Sequence, residues 1–146
     1  MARSADQVTR VFFLWGFDGS ELTYGILSGR RYAERAKRMI YLEHELLPLL
    51  LMTAKRDVRA VAVVPEALHG FAASRLILTA VNTICWMLDI PVVRAPGSWR
   101  TAPAMLHERI GDRLGAKTRF TGPVLPQYDR PAHITKSKQP RSFTIT

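Results

Sequence analysis

The chain has 146 residues, of which 47% are hydrophobic, and a formal net charge of +9. This length indicates one domain with its own core, and the single cysteine permits no internal disulfide and fits a reducing compartment. No window offers the roughly 18 uninterrupted apolar residues of a membrane span, and the first residues lack the apolar core of a signal peptide. We therefore expect a cytoplasmic protein without membrane contact.

The first third of the chain has the pattern of a strand meander. Thr9–Trp15 is a bulky apolar run, and the turn Gly16–Ser20 separates it from Glu21–Leu27, whose apolar side chains alternate along one face. Ser28 and Gly29 favour a tight hairpin turn. The polar run Arg30–Ala36 is typical of a strand near an edge of the sheet.

The rest of the folded part alternates helices with buried strands. Val58–Val64 is a short β-branched run that suits an interior strand, and Pro65 ends it. In chain order, the predicted elements are strands at Thr9–Trp15, Glu21–Leu27 and Arg30–Ala36, a helix at Tyr41–Ala54, a strand at Val58–Val64, a helix at Phe71–Leu88, a strand at Pro91–Val93 and a helix at Thr101–Leu114.

This β-β-β-α-β-α-β-α order predicts an α/β fold with a mixed sheet, as in an actin-like ATPase lobe or a ribonuclease-H-like domain. We expect this lobe to span residues 8–114. Residues 115–146 contain four prolines, six basic residues and one acid without apolar periodicity, so we expect an extended or disordered basic tail.

Three segments carry a family resemblance. Glu45–Pro48 reads Glu-Leu-Leu-Pro, Val58–Val64 reads Val-Arg-Ala-Val-Ala-Val-Val, and Phe71–Arg75 precedes a helix and the Asp-Ile-Pro-Val-Val of Asp89–Val93. In order and spacing they resemble motifs of the N-terminal lobe of the TsaB (YeaZ) family. The resemblance implies an actin-like partner of a TsaD-like catalytic subunit, acting in the threonylcarbamoyladenosine modification of transfer RNA.

The chain also departs from that family's pattern. Trp15 stands where the family's first strand has an aspartate, and Asp18 follows only in the next turn. The family's Gly-Pro-Gly turn is replaced by Ala67–His69, and its second lobe is replaced by one helix and the tail. These departures predict a non-catalytic protein with no nucleotide or metal cofactor.

The two long helices have more apolar faces than a helix lying on a sheet requires, which indicates a protein interface. We expect either a heterodimer with the TsaD-like subunit or a homodimer. The predicted interface residues are Leu42, Leu46, Leu49, Leu50, Phe71, Arg75, Ile77, Val81, Ile84 and Leu88.

Two weaker sites follow from charge and helix position. His69 and Gly70 precede a helix, whose free N–H groups could contact an anion. Transfer RNA could contact the basic residues of the tail. These tail residues are Lys117, Arg119, Arg130, Lys136, Lys138 and Arg141.

Two other functions stay open at this point. The first is a ribonuclease-H-like nuclease or resolvase with Asp18 as its first carboxylate. Such sites need several acidic side chains that converge on the metal ions, and only Glu21, Glu34 and Asp57 are available in this part of the sequence. The second is a basic RNA-binding module that uses the tail.

Overall fold

The computed structural model of the chain describes residues 10–54 and 56–126. Its elements follow the predicted order. The strands are β1 (Arg10–Phe17), β2 (Glu21–Ser28), β3 (Arg31–Arg38), β4 (Val58–Val63) and β5 (Val92–Arg94), and the helices are α1 (Leu42–Ala54), α2 (Phe71–Leu88) and α3 (Leu106–Leu114). Short 3₁₀ turns lie at Pro65–Ala67, Gly97–Thr101 and Pro103–Met105.

The five strands form one mixed sheet in the order β3-β2-β1-β4-β5. Strand β2 is antiparallel to both β1 and β3, whereas β1, β4 and β5 run parallel. The predicted α/β class, with the actin-like or ribonuclease-H-like order of elements, is therefore confirmed.

Strand β1 lies at the centre of the sheet and is buried on both faces. Phe12 and Leu14 point into the layer that contains α1 and α2, while Phe13 points into the opposite layer. The register with β2 shifts between Leu14 and Gly16, so that Trp15 is the extra residue of a β-bulge. Because of this bulge β1 continues to Phe17, and the turn predicted to begin at Gly16 starts later.

The second layer is made by the 3₁₀ turn at Gly97–Thr101 and by α3. Trp99, Leu106 and Ile110 are buried there against the sheet. The helix predicted from Thr101 begins only at Leu106, because the backbone at Ala102 is not helical and a separate 3₁₀ turn that starts with proline follows it.

After α3 the chain continues as an extended segment, residues 116–126, which we call the strap. The side chain of Asn82 on α2 pairs with the backbone of Val124, since its Nδ2 donates to the carbonyl at 2.8 Å and its Oδ1 accepts from the N–H at 2.9 Å. Val124 is buried, and Phe120 packs against the same core. The folded part therefore extends beyond the predicted boundary at Leu114.

The strap is also held at the C-terminal end of α2. Asp89 has a left-handed backbone there, and its carboxylate accepts hydrogen bonds from Arg119 Nε at 2.7 Å and from the Phe120 N–H at 3.2 Å. Arg94 donates to the Leu125 carbonyl at 2.7 Å. This part of the predicted tail is held to the lobe by these contacts, and residues 127–146 lie outside the described part of the chain.

Helix α2 is the one helix in the described residues that is long and apolar enough to cross a membrane by length and composition. Polar residues such as Arg75 and Asn82 interrupt it. The face of α2 that contains Ile77, Val81 and Cys85 is buried against the sheet. In this fold one face of α2 therefore packs on the sheet, and its opposite face is exposed.

Replacing Asn82 with alanine should loosen the strap. The change removes two partly buried hydrogen bonds to Val124, so we expect a loss of about 1–2 kcal/mol in the free energy of unfolding. Urea unfolding would measure this loss. Thr83→Ala is the control, because the Thr83 hydroxyl only donates to the Thr79 carbonyl one turn earlier. Equal losses for the two variants would show that the strap contributes nothing to stability.

Candidate functional site

At the end of β1, where the family resemblance places a carboxylate, the structure has an indole. Trp15 is 3% exposed, and its Nε1 donates a hydrogen bond to the hydroxyl of Tyr32. The Tyr32 hydroxyl donates in turn to Glu34 at 3.0 Å. Arg100 completes the chain with two hydrogen bonds to Glu34, at 2.8 and 2.9 Å. The buried indole therefore occupies this position, and its N–H begins a series of hydrogen bonds that ends at Arg100.

The pKa values of Tyr32 and Glu34 are shifted in opposite directions within this series of hydrogen bonds. Burial raises the pKa of Tyr32 far above its ordinary value, so the hydroxyl keeps its proton and remains a donor. Hydrogen bonds from Arg100 hold the pKa of Glu34 below its ordinary value. Gly25 makes room for the ring, because a Cβ there would lie 2.2 Å from the Tyr32 hydroxyl. The cluster therefore links β3 to the 3₁₀ turn that carries Arg100.

Asp18, the candidate first carboxylate of a nuclease, is committed to its own turn. One of its oxygens accepts hydrogen bonds from the Ser20 N–H at 2.9 Å and from the Glu21 N–H at 2.7 Å. These backbone donors, Glu21 first, lower the pKa of Asp18. The residue acts as an Asx-type turn former between β1 and β2.

The structure does not bring the other candidate acids to Asp18. Glu34 is bound to Arg100, and exposed Asp57 lies 3.9 Å from Arg59 at the start of β4. Within residues 10–54 and 56–126, no group of three or more His, Cys, Asp or Glu side chains could hold a metal ion. The predicted acids are therefore scattered.

The predicted anion contact lies in the loop before α2. The His69 N–H donates to the Phe17 carbonyl at 2.9 Å, and this bond joins the loop to the end of β1. Gly70 has a φ of +93°, a backbone conformation that favours glycine, and it precedes the first turn of the helix. Both residues are exposed. Anion binding at this loop stays a prediction.

The predicted helix interface divides into two groups. Phe71, Arg75 and Leu88 are exposed, and Leu42 is half-buried. The six others lie buried in the core between the helices and the sheet, so the prediction that they form an exposed interface is wrong. These residues are Leu46, Leu49, Leu50, Ile77, Val81 and Ile84. The most regular apolar stripe of each helix faces its own sheet.

Seven of the apolar side chains that remain exposed on these helices, two of them from the predicted interface, form a set that we call the helix patch. Trp86 and Met87 are the most exposed of them, at 66% and 65%. The helix patch consists of Leu47 and Leu51 on α1 and of Phe71, Leu76, Trp86, Met87 and Leu88 on α2. The Arg75 guanidinium lies over the Phe71 ring, 5.4 Å from its centre.

The two halves of the helix patch belong to neighbouring helices, because α1 and α2 pack against each other on one face of the sheet. Leu47 and Leu51 are one helical turn apart and lie on one flank of α1. Met52 lies on the opposite flank, where it lines a separate groove.

That groove, which we call the arginine groove, lies beside α1 over β2 and β3. Its volume is about 590 Å³. Its lining contains apolar, aromatic and cationic side chains: Tyr24, Ile26, Ser28, Arg31, Tyr32, Ala33, Arg35, Leu49, Met52 and Arg56. The sequence shows the basic cluster of Arg30, Arg31 and Arg35, and such clusters attract phosphate backbones. The spacing of Arg31 and Arg35 on a strand predicts that both point to one face, but the sequence did not reveal the groove beside α1.

The predicted nucleic-acid residues of the tail are only partly described. Lys117 is exposed, and Arg119 forms an ion pair with Asp89 at 2.7 Å. Arg130, Lys136, Lys138 and Arg141 lie outside the described residues. Nucleic-acid contact through the tail stays a prediction.

Two YeaZ-related proteins are among the solved structures that are similar to this chain. YeaZ from Pseudomonas aeruginosa is 16% identical, and the match has a TM-score of 0.48 and covers 60% of this chain and 43% of that chain. An uncharacterized protein with similarity to peptidase YeaZ from Pseudomonas aeruginosa is 14% identical, and the match has a TM-score of 0.47 and covers 66% of this chain and 49% of that chain. The chain thus spans less than half the length of either.

No family model and no curated protein matches the chain. The resemblance to the TsaB (YeaZ) family that the sequence predicts is nevertheless found again among the solved structures. This likeness concerns the fold of one lobe, and it leaves activity, substrates and partners as proposals.

Replacing Asp18 with alanine should destabilise the protein in a pH-dependent way. The pKa of Asp18 is lower in the folded chain than its unfolded value of about 3.9, so its contribution is present above that value and is lost as the pH falls through the folded pKa. Urea unfolding at pH 7 and pH 3 should show a larger difference between wild type and Asp18→Ala at pH 7. Asp18→Asn, which keeps an acceptor oxygen, is the control. A difference that is equal at both pH values would contradict this role.

Proposed function

We propose that this chain is a non-catalytic accessory subunit, similar to TsaB, that binds a protein partner through the helix patch. The proposed partner is the TsaD-like catalytic subunit that the family resemblance implies, and the proposed process is threonylcarbamoyl modification of transfer RNA. In the absence of that subunit, the same patch would pair two copies of this chain.

The observation that carries this proposal is the concentration of exposed apolar side chains on two neighbouring helices. Of the twelve large hydrophobic residues that are exposed in the described part of the chain, seven belong to the helix patch. Single exposed apolar residues are common on soluble proteins, whereas a shared patch on packed helices is typical of an interaction site. Trp86 and Met87 belong to residue types that are enriched at interfaces.

The end of β1 supports the non-catalytic part of the proposal. The indole of Trp15 occupies the position of the family's aspartate, and its hydrogen bond to Tyr32 leads into the ion pair of Glu34 with Arg100. Asp18 is bound by backbone donors of its own turn. The nuclease alternative would need several carboxylates close together, and the described acids do not provide them.

Charges placed in the helix patch should abolish partner binding. Leu47→Asp combined with Met87→Asp puts one carboxylate on each helix, and burying an unpaired charge in an apolar contact is costly. We expect the folded double variant to lose at least about 10-fold in affinity, which corresponds to 1.4 kcal/mol. Light scattering would report self-association, and co-purification with a TsaD-like subunit would report the heteromer.

The matched control is Met105→Asp, which changes an exposed apolar residue outside the helix patch. It should leave both assemblies intact, and thermal unfolding should show that all variants fold. The proposal fails if the unmodified chain stays monomeric at high concentration and does not co-purify with the TsaD-like subunit. It also fails if the control variant loses binding to the same extent as the double variant.

A further inference from the structure

The arginine groove exists because the helix layer does not cover the whole sheet. Helix α1 connects β3 to β4 and α2 connects β4 to β5, so both helices pack over the part of the sheet that contains β1, β4 and β5. The same face of β2 and β3 is left open next to α1. Leu49 and Met52 of α1 form one wall, and Tyr24, Ile26 and Ala33 of the strands form the floor.

Three arginines give this groove its charge. Arg31 and Arg35 lie on the same face of β3, about 13 Å apart along the strand. Arg56, just beyond α1, lines the groove as well. Within the part of the chain that the structure describes, the ion pairs of arginine involve Arg59, Arg100 and Arg119 instead. The groove therefore presents three guanidinium groups without a carboxylate partner among the described residues.

We propose that the arginine groove binds a single-stranded polynucleotide. Its phosphates would contact Arg31, Arg35 and Arg56, and its bases would lie against the apolar and aromatic floor. Guanidinium groups form charge-assisted, bidentate hydrogen bonds with phosphate oxygens. Tyr24 is held in place by stacking on Phe12, with ring centres 5.6 Å apart. A basic groove with an aromatic floor is the usual architecture of single-strand binding sites.

The shape of the groove favours a single strand over other anions. Arg31 and Arg35 flank Ala33, so cationic positions and an apolar position alternate along β3. An unpaired strand offers phosphates and bare base faces together, whereas a duplex keeps its base faces stacked inside. The carboxylates of an acidic peptide would pair with the arginines, but such a peptide has no bases to lie against the apolar and aromatic floor. This site is distinct from the helix patch, so the inference does not depend on the proposed docking role.

The test uses the full chain and a fluorescein-labelled 12-nucleotide single strand of mixed sequence, made both as RNA and as DNA. Fluorescence anisotropy between 50 and 200 mM salt would measure affinity and its salt dependence. Arg31→Gln combined with Arg35→Gln should lower the affinity at least about 10-fold. It should also reduce the slope of log K against log salt by about 1.4, since each phosphate contact on a single strand contributes about 0.7. The RNA and DNA arms identify which of the two polynucleotides the groove prefers.

The matched control is Arg59→Gln combined with Arg109→Gln, which removes the same charge outside the groove and should change the affinity less than about 3-fold. Ala33→Glu, which adds a carboxylate to the groove floor, should also weaken binding. Equal effects of the groove variant and the control would overturn the proposal, and so would a chain that binds neither strand. Two further outcomes would also overturn it. One is loss of binding only in Lys136→Gln combined with Lys138→Gln, which assigns the contact to the tail. The other is tighter binding of a polyglutamate peptide through Arg31 and Arg35, which assigns the groove to acidic peptides.

Discussion

The structure depends on the burial of β1 on both faces. A central strand with Phe12 and Leu14 on one side and Phe13 and Trp15 on the other cannot be covered by a single layer. The chain provides α1 and α2 for one face, and the 3₁₀ turn at Gly97–Thr101 with α3 for the other. The strap closes the helix layer at the β5 edge of the sheet, where Val124 is buried beside α2 and Arg94 of β5 donates to the Leu125 carbonyl.

The same constraint explains why the side chain near the end of β1, Trp15, is buried. The bulge at Trp15 turns a bulky indole into the second layer, where it stacks on Phe13 with ring centres 4.9 Å apart. Its N–H needs a partner when buried, and Tyr32 supplies one across β2, above Gly25. Glu34 and Arg100 then complete the chain at the surface. The position that a catalytic carboxylate would occupy therefore stabilises the sheet, and the exposed features of the molecule lie elsewhere.

Local patterns in the sequence predict the elements well and the surfaces poorly. The apolar run and the residues that flank it locate α2 at Phe71–Leu88. Similar local patterns give the order of the strands and helices along the chain, because these features depend on near neighbours in the sequence. A helical stripe shows which side chains share a face, and the face with Ile77 and Val81 is the one that the sheet buries. The strap rests on Asn82 and Val124, which are 42 residues apart. The arginine groove likewise requires the pairing of β3 with β2 and the position of α1, which no single segment encodes.

Helix α1 separates the two surfaces for which we propose functions. Leu47 and Leu51 on one flank belong to the helix patch, while Leu49 and Met52 line the arginine groove. A partner that covers the helix patch would therefore leave the groove open, so a protein and a polynucleotide could be held at the same time. The separation also gives each surface its own chemistry, since one is almost entirely apolar and the other combines three guanidinium groups with an aromatic floor. An accessory subunit of the proposed kind, which would bring an RNA strand to a catalytic partner, needs both properties.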